Sequence, residues 1–298
     1  MKRIGIIRGG SGEDYQASLQ KGAEIFSFIE KNIGERWKPI DIFIDRAGTW
    51  HIGGLPIVPA DLYHRVDIFW NNATPEVNAI LDSLGFPHIS TPAFSASLGK
   101  SRAMLEEHMK QSGVSMPMHF VLPAYQEDFD GSIERYATVG AKSVFEKFGA
   151  PWIVKSLGEK NSMGVHVSKT YPELVNAIID GAEHGGSIIV EELITGSEAS
   201  MHSLKNFRGE DTYIFPGQFR GPEKDALHDL VQNLHQSTGS HYLKSHFVIN
   251  PNRGIFLKHL EFTPDFGNDS DLHNVSRNIG VSASHILESI LENNKLKL

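Results

Sequence analysis

The chain has 298 residues, 40% hydrophobic and 21% charged, enough for two or three small domains with proper cores. A formal net charge of -8, with no run of Lys and Arg, argues against a nucleic-acid partner, which requires a basic stripe. Cysteine is absent, which excludes disulfides, thiolate metal sites and a cysteine nucleophile.

The first eight residues are basic and then apolar. That apolar part is too short for a signal-peptide core, and Gly9-Gly10 ends it. No apolar run reaches membrane-spanning length, so a soluble cytoplasmic protein without membrane contact is expected. Residues 3–8 form a β-rich run and 9–12 a glycine turn. Residues 14–31 have helical spacing, with Leu19, Ala23, Phe26 and Ile29 on one face. Strands follow at 39–45 and 66–70, then a helix at 76–84. This alternation predicts a parallel sheet covered on both faces.

Thr91-Pro92 marks a domain boundary. Beyond it, 101–112 reads as a helix, 118–122 as a strand and 129–148 as a helix. Residues 152–156 and 165–168 read as strands around a turn, 172–184 as a helix and 187–192 as a strand. The last third has a different texture. Strands at 199–206 and 212–215 precede a helix at 223–237. Two longer strands, 243–250 and 254–262, flank Asn250-Pro251-Asn252-Arg253-Gly254, a hairpin signal. A helix at 281–293 closes the chain. This block predicts an antiparallel sheet flanked by helices.

Three segments carry candidate chemistry. Lys155 ends the apolar strand Trp152-Ile153-Val154, so its ammonium must reach an anion or solvent. The polar loop that follows, with Ser162 and Gly164, can aim a hydroxyl and backbone N–H groups at phosphate oxygens. The strand Ile188-Ile189-Val190 runs into Glu191, Glu192, Leu193 and Ile194, a pattern suited to a hinge that pairs its backbone with an adenine edge. Leu193 and Ile194 would flank the base, and a carboxylate would take the ribose hydroxyls; a plain strand with a solvated charged end reads equally well. Glu261 ends the last long strand, opposite Lys244, Ser245 and His246 on its neighbour, an arrangement able to hold Mg²⁺ beside ATP phosphates.

In this order the segments resemble the ATP-grasp superfamily and, within it, the D-alanine–D-alanine ligase family, over almost the whole chain. Arg8-Gly9-Gly10-Ser11-Gly12 resembles the family's N-terminal glycine turn, and Gly85-Phe86-Pro87 its step into the central domain. The resemblance gives Lys100, Lys155 and Ser162 to ATP phosphate, Glu191–Ile194 to adenine and Glu198 to the ribose. Glu261 falls on the metal-binding glutamate. The resemblance implies three parts: an N-terminal Rossmann-like parallel-sheet domain (1–92) and central (93–186) and C-terminal (187–298) ATP-grasp subdomains, an α/β and α+β architecture.

The implied reaction is a ligase reaction of cell-wall peptidoglycan synthesis. ATP phosphorylates a carboxylate, an amine attacks the acyl phosphate, and ADP and phosphate leave. The implied partners are ATP, Mg²⁺ or Mn²⁺ and small amino-acid substrates, and the family is often dimeric. Several positions depart from the family pattern. His246 stands where the first metal ligand is an Asp, and Thr263 where the second motif has Asn. Lys244 stands for the oxyanion arginine, and Gln16 for the glutamate that holds the first substrate's ammonium. The loop that covers the site looks truncated at 216–222, with Lys205, Arg208 or Arg220 as substitutes for its cation. Two accounts remain: a ligase with altered substrate and metal sites, and a catalytically impaired module that binds nucleotide or regulates.

Overall fold

The computed structural model describes all residues except 13, 158–162, 218–220, 222, 268 and 294–298. By contacts the chain divides into two compact units. The first takes Met1–Gly113, Ala199–His246 and His259–Leu298; the second takes Val114–Glu198 and Phe247–Lys258. The expected segment 1–92 lies wholly in the first unit, while 93–186 and 187–298 are each shared between the two.

The first unit opens with β1 (Lys2–Gly9), α1 (Tyr15–Ile33), β2 (Trp37–Ile44), β3 (Trp50–Ile52), β4 (Leu55–Ile57), β5 (Ile68–Asn71), α2 (Glu76–Ser83) and β6 (His88–Ile89). The sheet order is β4-β3-β2-β1-β5-β6. Pairing of β1 with β2 and β5, and of β5 with β6, is parallel, as expected. An antiparallel hairpin, β3 and β4, extends the edge at β2 and was not foreseen. It turns through Gly53 and Gly54, both at positive φ, the conformation that a two-residue hairpin loop of this hand requires. Ile4, Ile6 and Ile7 have no exposed surface. Such a run, buried on both faces, is the mark of a central parallel strand.

The buried face of α1 differs from the expected one. It comprises Ser18, Gly22, Ile25, Ile29 and Ile33, while Ala23 is exposed and Leu19 and Phe26 are only partly buried. Close approach to β1 sets this register. The Ser18 hydroxyl accepts the Gly9 N–H at 2.8 Å, and a Cβ at Gly22 would sit 2.6 Å from the Arg8 Cβ. Small residues therefore face the strand where apolar counting favours larger ones.

Two helices, α3 (Ala93–Lys100) and α4 (Arg102–Gln111), follow, with the Ser101 hydroxyl capping α4 by accepting the Met104 N–H. The second unit then begins with β7 (His119–Leu122), α5 (Glu127–Asp130), α6 (Ile133–Lys147), β8 (Trp152–Ser156), β9 (His166–Ser168), α7 (Tyr171–Glu183) and β10 (Ile188–Glu192). The expected single helix at 129–148 is broken because Gly131 takes a φ of 74° and Ser132 caps a new helix. The sheet order is β7-β10-β8-β9, antiparallel throughout. Ala141, Val144, Leu174 and Ile178 pack on Trp152, Val154 and Val190. Each large side chain so buried contributes about 1.5–3 kcal/mol.

The remaining elements are β11 (Ser197–Phe207), β12 (Glu210–Ile214), α8 (Lys224–Thr238), β13 (Tyr242–Asn250), β14 (Gly254–Glu261), α9 (Asp271–Asn278) and α10 (Ala283–Asn293). The sheet order is β12-β11-β13-β14. Within the first unit, Leu204, Phe207, Phe215 and Tyr242 share one core with Ile286, Leu287 and Ile290 of α10 and with Ile4, Ile6 and Trp70. That common core joins the N-terminal sheet and the C-terminal elements into one body. No helix among the described residues is long and apolar enough to cross a membrane.

Candidate active site

In the second unit, antiparallel pairing of β8 with β10 sets Lys155 opposite Ile189. The Lys155 ammonium lies 2.6 Å from Glu191 Oε2. The sequence required this lysine to reach an anion or solvent, and here it reaches a carboxylate. Glu191 is only 9% exposed, so it is no solvated strand end. Glu192 takes both terminal nitrogens of Arg253, which raises the guanidinium pKa through hydrogen bonding. The N–H groups of Glu192 and Leu193 donate to the carbonyls of Met118 and Pro151 at 2.8 and 3.0 Å. Ile194 is buried against Val248 and Phe256. Glu198 is well exposed and pairs with Lys258 at 2.9 Å. The second unit thus brings Lys155 to Glu191, while Glu192 and Glu198 take partners of their own.

In the first unit, strand periodicity builds a polar face. Lys244 and His246 lie two apart on β13, and His259 and Glu261 two apart on β14, so each pair shares a face. Tyr242, Ser245, Phe247 and Leu260 are buried. His246 Nε2 stands 2.8 Å from Glu261 Oε1, and His259 Nε2 3.4 Å from the same oxygen. The two imidazoles stack with centroids 4.0 Å apart and planes at 16°. Ser200 Oγ meets His246 Nδ1 at 2.9 Å. Lys244 Nζ lies 3.1 Å from Asp271 and 3.9 Å from Glu261. Hydrogen bonds from His246 and then His259 hold the Glu261 carboxyl far below the usual carboxylate range, with the Lys244 charge adding to this. Asp271 is lowered to about 2, chiefly by its hydrogen bond with His202 and also by Lys244. His202 in turn meets the Tyr242 hydroxyl at 2.7 Å.

His259 escaped sequence reasoning, although the spacing His-x-Glu on a strand was the available signal. His246 and Glu261 do converge. Thr263 has its hydroxyl 3.4 Å from that of Thr91. Gln16 is exposed on the first turn of α1. Lys100, at the end of α3, forms an ion pair with Asp14. Ser162 and Arg220 lie outside the described residues. Arg208 donates to the Ile279 carbonyl at 2.9 Å. Lys205 lines a cleft of about 670 Å³ with Asn78, Asp82, His88, His241 and Asn293, a lining that includes none of the other candidates.

No protein-family model matches the chain. A D-alanine–D-alanine ligase of Anaeromyxobacter sp. (strain K) is 20% identical over 319 residues, covering 99% of this chain and 98% of the relative. Another from Desulforudis audaxviator is 24% identical, covering 69% of this chain and 62% of the relative. Among solved structures, D-alanyl-alanine synthetase A from Vibrio cholerae superposes with a TM-score of 0.73 at 13% identity, over 99% of both chains. The VanG D-Ala:D-Ser ligase from Enterococcus faecalis gives 0.70 at 19% identity, over 98% of this chain and 99% of the other. The structural likenesses carry the ATP-grasp fold, and the Anaeromyxobacter relative matches from one end of the chain to the other. The chain is thus similar along its whole length to D-alanine–D-alanine ligases and shares the ATP-grasp fold of their solved structures.

Proposed function

We propose that the protein is an ATP-dependent carboxylate–amine ligase that joins small amino-acid-like substrates through an acyl phosphate. The observation that carries this reading is the end-to-end similarity to curated D-alanine–D-alanine ligases. Lys155 supports it, since an ammonium held at a strand end by a carboxylate can exchange that partner for phosphate oxygens. In this reading Lys100 and Lys155 neutralise phosphate, and the Ser162 hydroxyl donates a hydrogen bond to it. Glu191, Glu192, Leu193 and Ile194 meet the base, and Glu198 meets the ribose, giving up Lys258. Lys244 stabilises the tetrahedral oxyanion with a point charge, without the planar fork an arginine offers. Gln16 receives the first substrate without a charge, which favours substrates other than one anchored by a carboxylate–ammonium pair. The product class is that of cell-wall precursor synthesis, and a homodimer is part of the proposal.

Nearly all of this chemistry is positioning and charge neutralisation by the chain's own residues. The Mg²⁺ that the family implies prefers oxygen ligands, and the imidazoles at 246 and 259 do not fit it. That same observation favours the second reading, a nucleotide-binding module with impaired catalysis. An ADP-release screen separates the two. It should cover D-amino acids, D-lactate and other small carboxylates, with Mg²⁺ and Mn²⁺ in parallel. Substrate-stimulated ADP release is expected for the ligase. ATP binding without release in any combination would leave the module.

A further inference from the structure

Among the described residues, one group of His and carboxylate side chains gathers its donor atoms within 4.8 Å of one another: His246, His259 and Glu261. Both imidazoles turn Nε2 toward the same oxygen, Glu261 Oε1, at 2.8 and 3.4 Å. Two ligands of a tetrahedral ion, each about 2.0–2.1 Å from it, stand roughly 3.3 Å apart. The two spacings to Glu261 bracket that value, and rotation of the stacked rings away from their near-parallel 4.0 Å contact would bring both Nε2 lone pairs onto one ion. Ser200 Oγ holds His246 Nδ1 at 2.9 Å. An outer partner at Nδ1 fixes the ring, and an ion that displaces the Nε2 proton now shared with Glu261 would take that lone pair. Asp271 draws the Lys244 ammonium to 3.1 Å, while Glu261 lies 3.9 Å from it. The positive charge nearest the carboxylate is thereby partly offset.

We propose that His246, His259 and Glu261 form a three-ligand site for a borderline divalent transition ion of the Zn²⁺ or Co²⁺ class, in place of the Mg²⁺ that the family implies. Two nitrogens and one oxygen suit such ions, whereas Mg²⁺ demands six oxygens and keeps much of its water. Three protein ligands leave one position open for water or another oxygen donor. Bound there, the ion would supply Lewis acidity and charge. The site follows from geometry alone and stands whether or not the protein is a ligase. The alternative for the same three side chains is an ion pair, a protonated imidazole on the Glu261 carboxylate, with no affinity for metal.

The test is a Co²⁺ titration of the untagged, chelator-stripped full chain, read by its visible d–d absorption, with neither nucleotide nor amino acid present. The expected result is one saturable equivalent per chain, with the strong bands of four-coordinate cobalt. Zn²⁺ should bleach them, and a large excess of Mg²⁺ should not. His259→Ala and Glu261→Gln should each weaken binding by more than about tenfold, with circular dichroism and the melting temperature close to those of the parent. If either variant misfolds, His259→Asn supplies the same comparison. Absence of saturable binding, displacement by Mg²⁺, or unchanged affinity in the folded position-259 variant would overturn the proposal. Failure to release ADP would not bear on it, so the two readings fail separately.

Discussion

Acidification should expose the buried histidine of α8. His235 shares the inner face of that helix with Leu227, Val231 and Leu234 and is 2% exposed. Its Nδ1 lies 2.7 Å from Ser203 Oγ, which itself donates to the Leu243 carbonyl. The hydroxyl therefore accepts from Nδ1–H, and a backbone hydrogen bond with Ser240 partly opposes the effect of burial on the ring. Burial lowers the His235 pKa from 6.5 to about 4, with the Lys205 charge acting in the same direction. Between these values the unfolded chain binds a proton that the native chain refuses, so stability is full above pH 6.5 and falls as pH drops toward 4. That difference is worth about 3 kcal/mol. The assay is urea unfolding of the parent and His235→Asn at about pH 7 and about pH 4. The variant is less stable at neutral pH, because it loses packing and a hydrogen bond, but it loses up to about 3 kcal/mol less on acidification. Equal acid losses in the two proteins would refute the argument and assign the loss to other groups.

Three further outcomes follow from the geometry. Lys155→Ala should abolish ATP binding in calorimetry, by removing a cation poised for phosphate; unchanged affinity would remove Lys155 from the nucleotide site. Gly196→Ala should destabilise the second unit, because the new Cβ would collide with the Ile249 carbonyl; a cost of about 1–3 kcal/mol is expected, and an unaltered denaturation midpoint would contradict it. His246→Asp should raise Mg²⁺-dependent ADP release, since a second carboxylate beside Glu261 restores the oxygen donors Mg²⁺ prefers; no gain over the parent would count against a displaced metal preference.

Where side-chain pattern dictates structure, the sequence was readable. The alternation of strands and helices over residues 3–84 announced a parallel sheet covered on both faces, and the turn at 250–254 announced its hairpin. Lys155 stood out because charge at the end of an apolar strand must find a partner, and Glu261 because it faces Lys244, Ser245 and His246 of the neighbouring strand. Elements whose reasons are tertiary were missed. Helix α3 contains Ser95, Ser97 and Gly99 and forms where Ser95 donates to the Thr238 carbonyl. Helix α9 is mostly polar, and the Ser270 hydroxyl at its N-cap accepts the Leu272 N–H. The α1 register depended on Ser18 and Gly22, whose value lies in being small. His259 is exposed, and only the neighbouring His246 ring gives it significance.

The central claim is passage of a carboxylate through an acyl phosphate, and oxygen transfer tests it most directly. A small amino acid labelled with ¹⁸O in its carboxylate is turned over with ATP, and the released inorganic phosphate is weighed by mass spectrometry. The account predicts phosphate carrying one carboxylate oxygen, formed together with ADP and a dipeptide-like product, and lost in Lys155→Ala. Unlabelled phosphate under every substrate and metal combination would contradict it.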